Sequence, residues 1–171
     1  MIKIVPVFLF IITAFIYGSD NTIGSPDGNI RVAFKLNGDG QPFFDITFRS
    51  DTVMKNNRLG IIMEDADFSK SLKLVSASDI EPVEDSYDLL YGKKIHSKYQ
   101  GNKIIFHLQN PEEIYIDIIF QVSNDGVGFR YFFPETTKNV KSITDELTYF
   151  NFNKNTLAWI QPMEAAKSGW A

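Results

Sequence analysis

The sequence predicts an all-β sandwich, and three observations carry that prediction. Apolar and polar residues alternate along one short segment after another, the period of a half-buried strand. Turn signals rich in Gly, Asn, Asp and Pro separate these segments at intervals of roughly 8–12 residues, the spacing of sandwich folds. Past the N-terminal apolar run, no segment repeats its apolar residues at helical spacing. A chain of 171 residues, 44% apolar and with 15 Phe against 2 Trp, suits one sheet-built core that needs neither disulfides nor metal.

Taken in order, Ser25-Pro26-Asp27-Gly28 is a turn, Pro fixing φ and Gly accepting positive φ. Ile30, Val32, Phe34 and Leu36 then share one face of a strand, with Arg31, Ala33 and Lys35 opposite. Asn37-Gly38-Asp39-Gly40 turns that strand into the next, where Phe44, Ile46 and Phe48 face away from Asp45, Thr47 and Arg49, a hairpin. Leu59 to Met63 is a short apolar strand, Glu64 to Ser69 an acidic turn, and Leu72 to Ser78 a further alternation. Asp79 to Asp88, polar and holding Pro82, is expected to be a loop. Lys94 to Tyr99 is the next predicted strand, followed by a turn at Gly101-Asn102 and a strand carrying Ile104, Phe106 and Leu108. Asn110-Pro111 stops it. Ile114 to Val122 follows, with Ile114, Ile116, Ile118 and Phe120 on one face. Asn124-Asp125-Gly126 is the clearest hairpin turn, expected to need positive φ. Val127, Phe129, Tyr131 and Phe133 then share a face, with Gly128 and Arg130 opposite; Gly128 would permit a close approach and Arg130 a carboxylate partner. Ile143 to Phe152 and Thr156 to Ile160 are expected to supply the last strands.

The N-terminus has a different character. Lys3 precedes an apolar run from Ile4 to Ile16, which ends at Tyr17-Gly18-Ser19-Asp20. A charged start, a short apolar stretch and small residues at its end describe a secretory signal, with cleavage expected near Gly18 or Ser19. The run is shorter than the roughly 20 residues of a membrane span, and Pro6 interrupts it. Residues 1–19 are therefore read as a signal peptide and residues 20–171 as one β-sandwich domain, with no stable membrane span after cleavage.

Several chemistries are excluded. The net charge of −4 and the scattered Lys and Arg supply no basic stripe for nucleic acid. The absence of Cys removes disulfides, zinc–thiolate sites and thiol nucleophiles. His96 and His107 lie in strands without ligand spacing, and no nucleophile elbow, P-loop or dinucleotide fingerprint occurs. Glu64, Asp65, Asp67, Glu81, Glu84 and Asp85 are carboxylates placed in loops, from which sequence selects no catalytic pair. The Asp65-Ala66-Asp67 spacing lacks the Gly and closing Glu of a calcium loop. No catalytic or metal residue is assigned. The candidate carbohydrate contacts are Trp159 and Trp170, since an aromatic face packs against the C–H-rich side of a sugar ring. Trp159 also reads as closing the core, and Trp170 sits beside Gly and polar residues.

Together, Ser25-Pro26-Asp27-Gly28, Leu59-Gly60 with Asp67-Phe68, Tyr91-Gly92-Lys93-Lys94, Asn124 to Tyr131, Ala158-Trp159 and Lys167-Ser168-Gly169-Trp170 resemble, in order and spacing, the start of glycoside hydrolase family 97. That resemblance implies a β-super-sandwich, similar to the galactose mutarotase-like fold, packed against a following C-terminal (β/α)8 barrel. It also implies exported α-glucosidases or α-galactosidases of the Bacteroides type, in which the barrel supplies the acid/base or nucleophile and calcium lies near the catalytic carboxylates. The expectation is a carbohydrate-associated N-terminal domain, truncated before the barrel and inactive alone, with an α-glucoside or α-galactoside as partner and the Gram-negative periplasm as location. No cofactor is expected in this chain; calcium is implied for the full-length family, and Glu164 matches no calcium-binding motif. A free-standing carbohydrate-binding or surface-interaction module is the alternative, and an envelope protein mediating only protein contacts is a third reading.

Overall fold

The computed structural model describes residues 21–91, 95–136, 140–157 and 159, all in strands, turns and loops, with no helix among them. The expected signal at 1–19, Glu164 and Trp170 lie outside the described residues. Eleven strands run in chain order: β1 (Thr22–Gly24), β2 (Ile30–Leu36), β3 (Pro42–Phe48), β4 (Asp51–Arg58), β5 (Ile61–Met63), β6 (Lys73–Ala77), β7 (Glu81–Asp88), β8 (His96–Gln109), β9 (Tyr115–Ser123), β10 (Val127–Phe132) and β11 (Ile143–Glu146). One antiparallel sheet is ordered β1-β2-β3-β4. A second is ordered β10-β9-β8-β6, with β7 paired to the other stretch of β8, and β11 and β5 form a separate antiparallel pair.

Alternation decides what each sheet buries. Val32, Phe34 and Phe44 from the first sheet meet Ile104, Phe106, Leu108, Ile116, Ile118, Phe120 and Val122 from the second, all buried. Phe34 stacks on Phe106 with ring centroids 4.4 Å apart and planes 21° from parallel. Phe44 meets Phe120 at 5.5 Å and Phe129 at 5.7 Å, tilted in both cases. Burying each such side chain is worth about 1.5–3 kcal/mol, so this aromatic seam joins the sheets.

Polar groups fix the corners. In the first turn, the Gly28 amide donates to the Ser25 carbonyl at 2.9 Å, and Gly28 takes φ 74°. Asn57, fully buried, donates to the Phe44 carbonyl at 2.9 Å and accepts from the Asn151 amide at 2.7 Å, so it holds residues near 151 against β4. Tyr131 on β10 accepts from the Gly60 amide at 2.9 Å and shares a 2.7 Å hydrogen bond with Thr148. Burial, partly offset by these hydrogen bonds, raises the Tyr131 hydroxyl above its ordinary pKa.

Several expectations are corrected. Of residues 79–88, expected as a loop, only Asp79 and Ile80 lie outside a strand: β7 pairs residue by residue with β8 from Glu81↔Lys103 to Asp88↔His96. Polarity suits it because it lies at the sheet's edge, exposed along most of its length, where Pro82 is tolerated. Glu81, Glu84 and Asp85 are consequently strand residues. Gly101-Asn102 is no turn but the interior of the 14-residue β8. Gly101 is required there because a Cβ would lie 2.7 Å from the Tyr99 hydroxyl oxygen and 3.0 Å from the Val122 carbonyl oxygen. The turn at 124–126 forms without positive φ; instead the Ser123 amide donates to the Gly126 carbonyl at 2.9 Å and the Ser123 hydroxyl to Asp125. The final strand is shorter than expected. β11 ends at Glu146, and beyond it the chain follows β4 through the Tyr149–Arg58 and Lys55–Asn151 backbone hydrogen bonds and one bridge, Met54↔Phe152. Thr156, Leu157 and Trp159 are not in a strand, while Ala158 and Ile160 lie outside the described residues.

Candidate functional site

Register builds a groove on the outer face of the second sheet. Core-facing Ile104, Phe106 and Leu108 leave the odd-numbered residues of β8 facing out, and the same logic applies to Ile119, Gln121 and Ser123 on β9 and to Gly128, Arg130 and Phe132 on β10. Cross-strand rows follow: Ile105, Ile119 and Arg130; Lys103, Gln121 and Gly128; then Gly101 and Ser123. Tyr99 leans over Gly101 and forms one wall. A groove of about 450 Å³ results, with Tyr99, Gln121, Gly128 and Arg130 among its lining residues.

The groove combines an aromatic ring, an amide and a guanidinium over a floor poor in side chains. Arg130 forms no ion pair or hydrogen bond among the described residues, so the expected carboxylate partner is not found there; its guanidinium lies 5.9 Å from the Phe132 ring centroid. Gly128 also departs from expectation. A Cβ built there meets nothing closer than the Gln121 carbonyl oxygen at 3.9 Å, so no neighbouring strand or side chain requires a glycine.

The carboxylates singled out from sequence are held locally and fall into two regions. On the β5–β6 connection, Lys141 donates to Asp65, which drives that carboxyl below its usual range and the lysine above its own. Asp67 caps Ser69, accepting from its hydroxyl at 2.6 Å and its amide at 2.8 Å; burial works to raise this carboxyl, and the Ser69 hydrogen bonds prevail and lower it. Along β7 and β8, Glu81 pairs with Lys103 at 2.8 Å, and Glu84 accepts from Gln100 at 2.7 Å. Glu64 is exposed and Asp85 accepts from the Ser86 amide at 2.8 Å. Both histidines meet aspartates, His96 with Asp88 at 2.6 Å and His107 with Asp117 at 2.7 Å. Among the described residues no group of three or more His, Asp or Glu could hold a metal ion.

Trp159 is 100% exposed, and Leu157 beside it is 94% exposed. Trp159 therefore does not close the core. Trp170 lies outside the described residues. Sequence reading had marked Gly128 and Arg130 but missed Tyr99 and Gln121. A turn at Gly101-Asn102 would have put Tyr99 at a strand end. A continuous β8 would have put it on the same outer face as Gln121.

Residues 23–170 match the family described as Glycosyl-hydrolase 97 N-terminal. The chain belongs to that family. It is 28% identical over 109 residues to a probable retaining alpha-galactosidase from Streptomyces bingchenggensis (strain BCW-1), covering 64% of this chain and 16% of that protein. Among solved structures it is similar to a beta-arabinopyranosidase, with a TM-score of 0.72 and 26% identity over 77% of this chain and 21% of the other. It is also similar to a glycoside hydrolase family 97 enzyme from Pseudoalteromonas sp. strain K8 in complex with acarbose, with a TM-score of 0.69 and 29% identity over 78% of this chain and 20% of that one. A variant of the same enzyme, E480Q, was solved with panose. The family 97 domain thus spans about a fifth of the length of these structures and 16% of the curated relative. Its all-β fold agrees with these neighbours.

Proposed function

We propose that this chain is the carbohydrate-associated N-terminal domain of an exported family 97 glycoside hydrolase that cleaves α-glucosides or α-galactosides, and that the domain itself is not catalytic. The observation that carries the reading is the family match over residues 23–170. Relatives add chemical direction: one is described as a probable retaining alpha-galactosidase, and another was solved with acarbose and, as a variant, with panose. The separate local tethering of Asp65, Asp67, Glu81 and Glu84 supports a non-catalytic role, because glycoside hydrolysis needs two carboxyl groups facing one another across a sugar.

In this reading a (β/α)8 barrel in the whole enzyme supplies the reacting carboxylates, and the sandwich packs against it. Calcium belongs to that whole enzyme. The described residues offer no cluster suited to it. Lys3, the apolar run from Ile4 to Ile16 and the small residues Gly18 and Ser19 support export to the periplasm of a Gram-negative bacterium. Trp159, fully exposed, is a sugar contact in this reading, as is Trp170.

The test is an assay of the purified chain with aryl α-glucosides and aryl α-galactosides. No turnover above the buffer blank is expected. Turnover that disappears on replacing one of its carboxylates would overturn the non-catalytic reading.

A further inference from the structure

Gly128 poses a physical question. Glycine within a strand costs about 0.5–1 kcal/mol relative to alanine, through backbone entropy and lost packing. Gly40 and Gly101 have evident reasons to be glycine. A Cβ at Gly40 would sit 2.6 Å from the Leu72 amide nitrogen at φ +68°, and one at Gly101 would strike the Tyr99 hydroxyl. Gly128 has neither a positive φ nor a close neighbour. An exposed strand glycine that nothing inside the fold requires points to an approach from outside.

What lies around it defines the visitor. Tyr99, Gln121 and Arg130 surround this bare floor in a groove of about 450 Å³, within the roughly 300–1,000 Å³ of small-ligand pockets. The Tyr99 ring provides an apolar face with a polar tip, matched to the C–H face of a pyranose. Arg130 has five N–H donors in a planar fork, suited to adjacent hydroxyl oxygens. The Gln121 amide both donates and accepts, as a sugar hydroxyl does. A carboxylate ligand would also suit Arg130, but the tyrosine wall and the amide favour a neutral polyol with one apolar face.

We infer that this groove is a carbohydrate subsite on the sandwich, in which Tyr99 stacks on an α-linked pyranose, Arg130 and Gln121 hold its hydroxyls, and Gly128 lets the ring lie close to the backbone. This rests on the proposed carbohydrate association of the domain and assigns it to residues other than Trp159 and Trp170. The experiment is an amide-resolved NMR titration of the 171-residue chain with panose and, separately, with melibiose. The expected result is saturable movement of the Gly126, Gly128 and Arg130 signals with one of the two sugars. Arg130→Ala should weaken that binding by about tenfold, the size of one lost charge-assisted hydrogen bond, and Gly128→Val should weaken it by at least as much by filling the space the ring would occupy. Gly128→Val should keep its melting temperature, since its side chain enters open space. Movement confined to other signals, or wild-type affinity in both variants, would overturn the groove while leaving a carbohydrate-associated domain standing. No movement with either sugar would overturn both.

Discussion

Asp27 links two turns that lie far apart in sequence. Its carboxylate accepts from the Ser25 hydroxyl at 2.6 Å and from the Asn29 amide at 3.0 Å, while its own amide donates to the Asn124 side chain at 3.0 Å. The Ser25 hydrogen bond, followed by those from Asn29, holds its carboxyl below the usual range. In the unfolded chain an aspartate titrates near pH 4. The stabilisation is therefore complete above that value and is lost as pH falls through the lower folded pKa. Melting temperature followed from pH 6 to pH 2 should fall, and Asp27→Asn should flatten part of that fall because amide titration is absent. Equal slopes for the two proteins would show that Asp27 has no such role. The motif Ser25-Pro26-Asp27-Gly28 was visible in the sequence; its partner Asn124 was not, since proximity across 97 positions comes only from the fold.

Strands were legible where one face is apolar and hidden where neither is. β2, β3, β9 and β10 alternate clearly because each covers the aromatic seam. β4 was missed because Met54 and Asn57 are its only buried residues, and a buried asparagine reads as polar until its bonds to Phe44 and Asn151 are seen. β7 was read as a loop because it is held by ladder hydrogen bonds and ion pairs rather than by burial. The groove shared this problem: it is a property of the register across β8, β9 and β10, and a supposed turn inside β8 concealed it. Glycines separate the same way. Gly40 donates to Asn37 and accepts from Leu72, both at 3.0 Å, in the turn between β2 and β3. Gly40→Ala, strained in φ and pressed against Leu72 backbone, should lower unfolding free energy by at least about 1–3 kcal/mol. Urea denaturation checks this, with Gly128→Ala as the comparison expected to be unchanged or slightly stabilised. Equal effects at both positions would contradict the steric assignment.

At the scale of the whole molecule, two sheets close over Phe34, Phe44, Phe106 and Phe120, while apolar surface stays exposed elsewhere. Leu90 and Tyr91, at the end of the β7–β8 ribbon, are 90% and 84% exposed, and Phe150 and Phe152 are each about half exposed. Exposed apolar surface of this kind is typical of interaction faces, and the related enzymes are about four times the length of this chain. The fold and the family were legible because they depend on alternation, turns and the order of motifs. The groove was not, because it depends on which side chains the register brings to one face. In the proposed function this domain engages an α-linked sugar without cleaving it. Saturation-transfer NMR of panose or melibiose incubated with the purified chain tests both halves in one spectrum. One sugar should receive saturation from the protein while its glycosidic anomeric signals stay constant throughout. No transfer to either sugar, or the growth of free reducing-sugar signals, would contradict it.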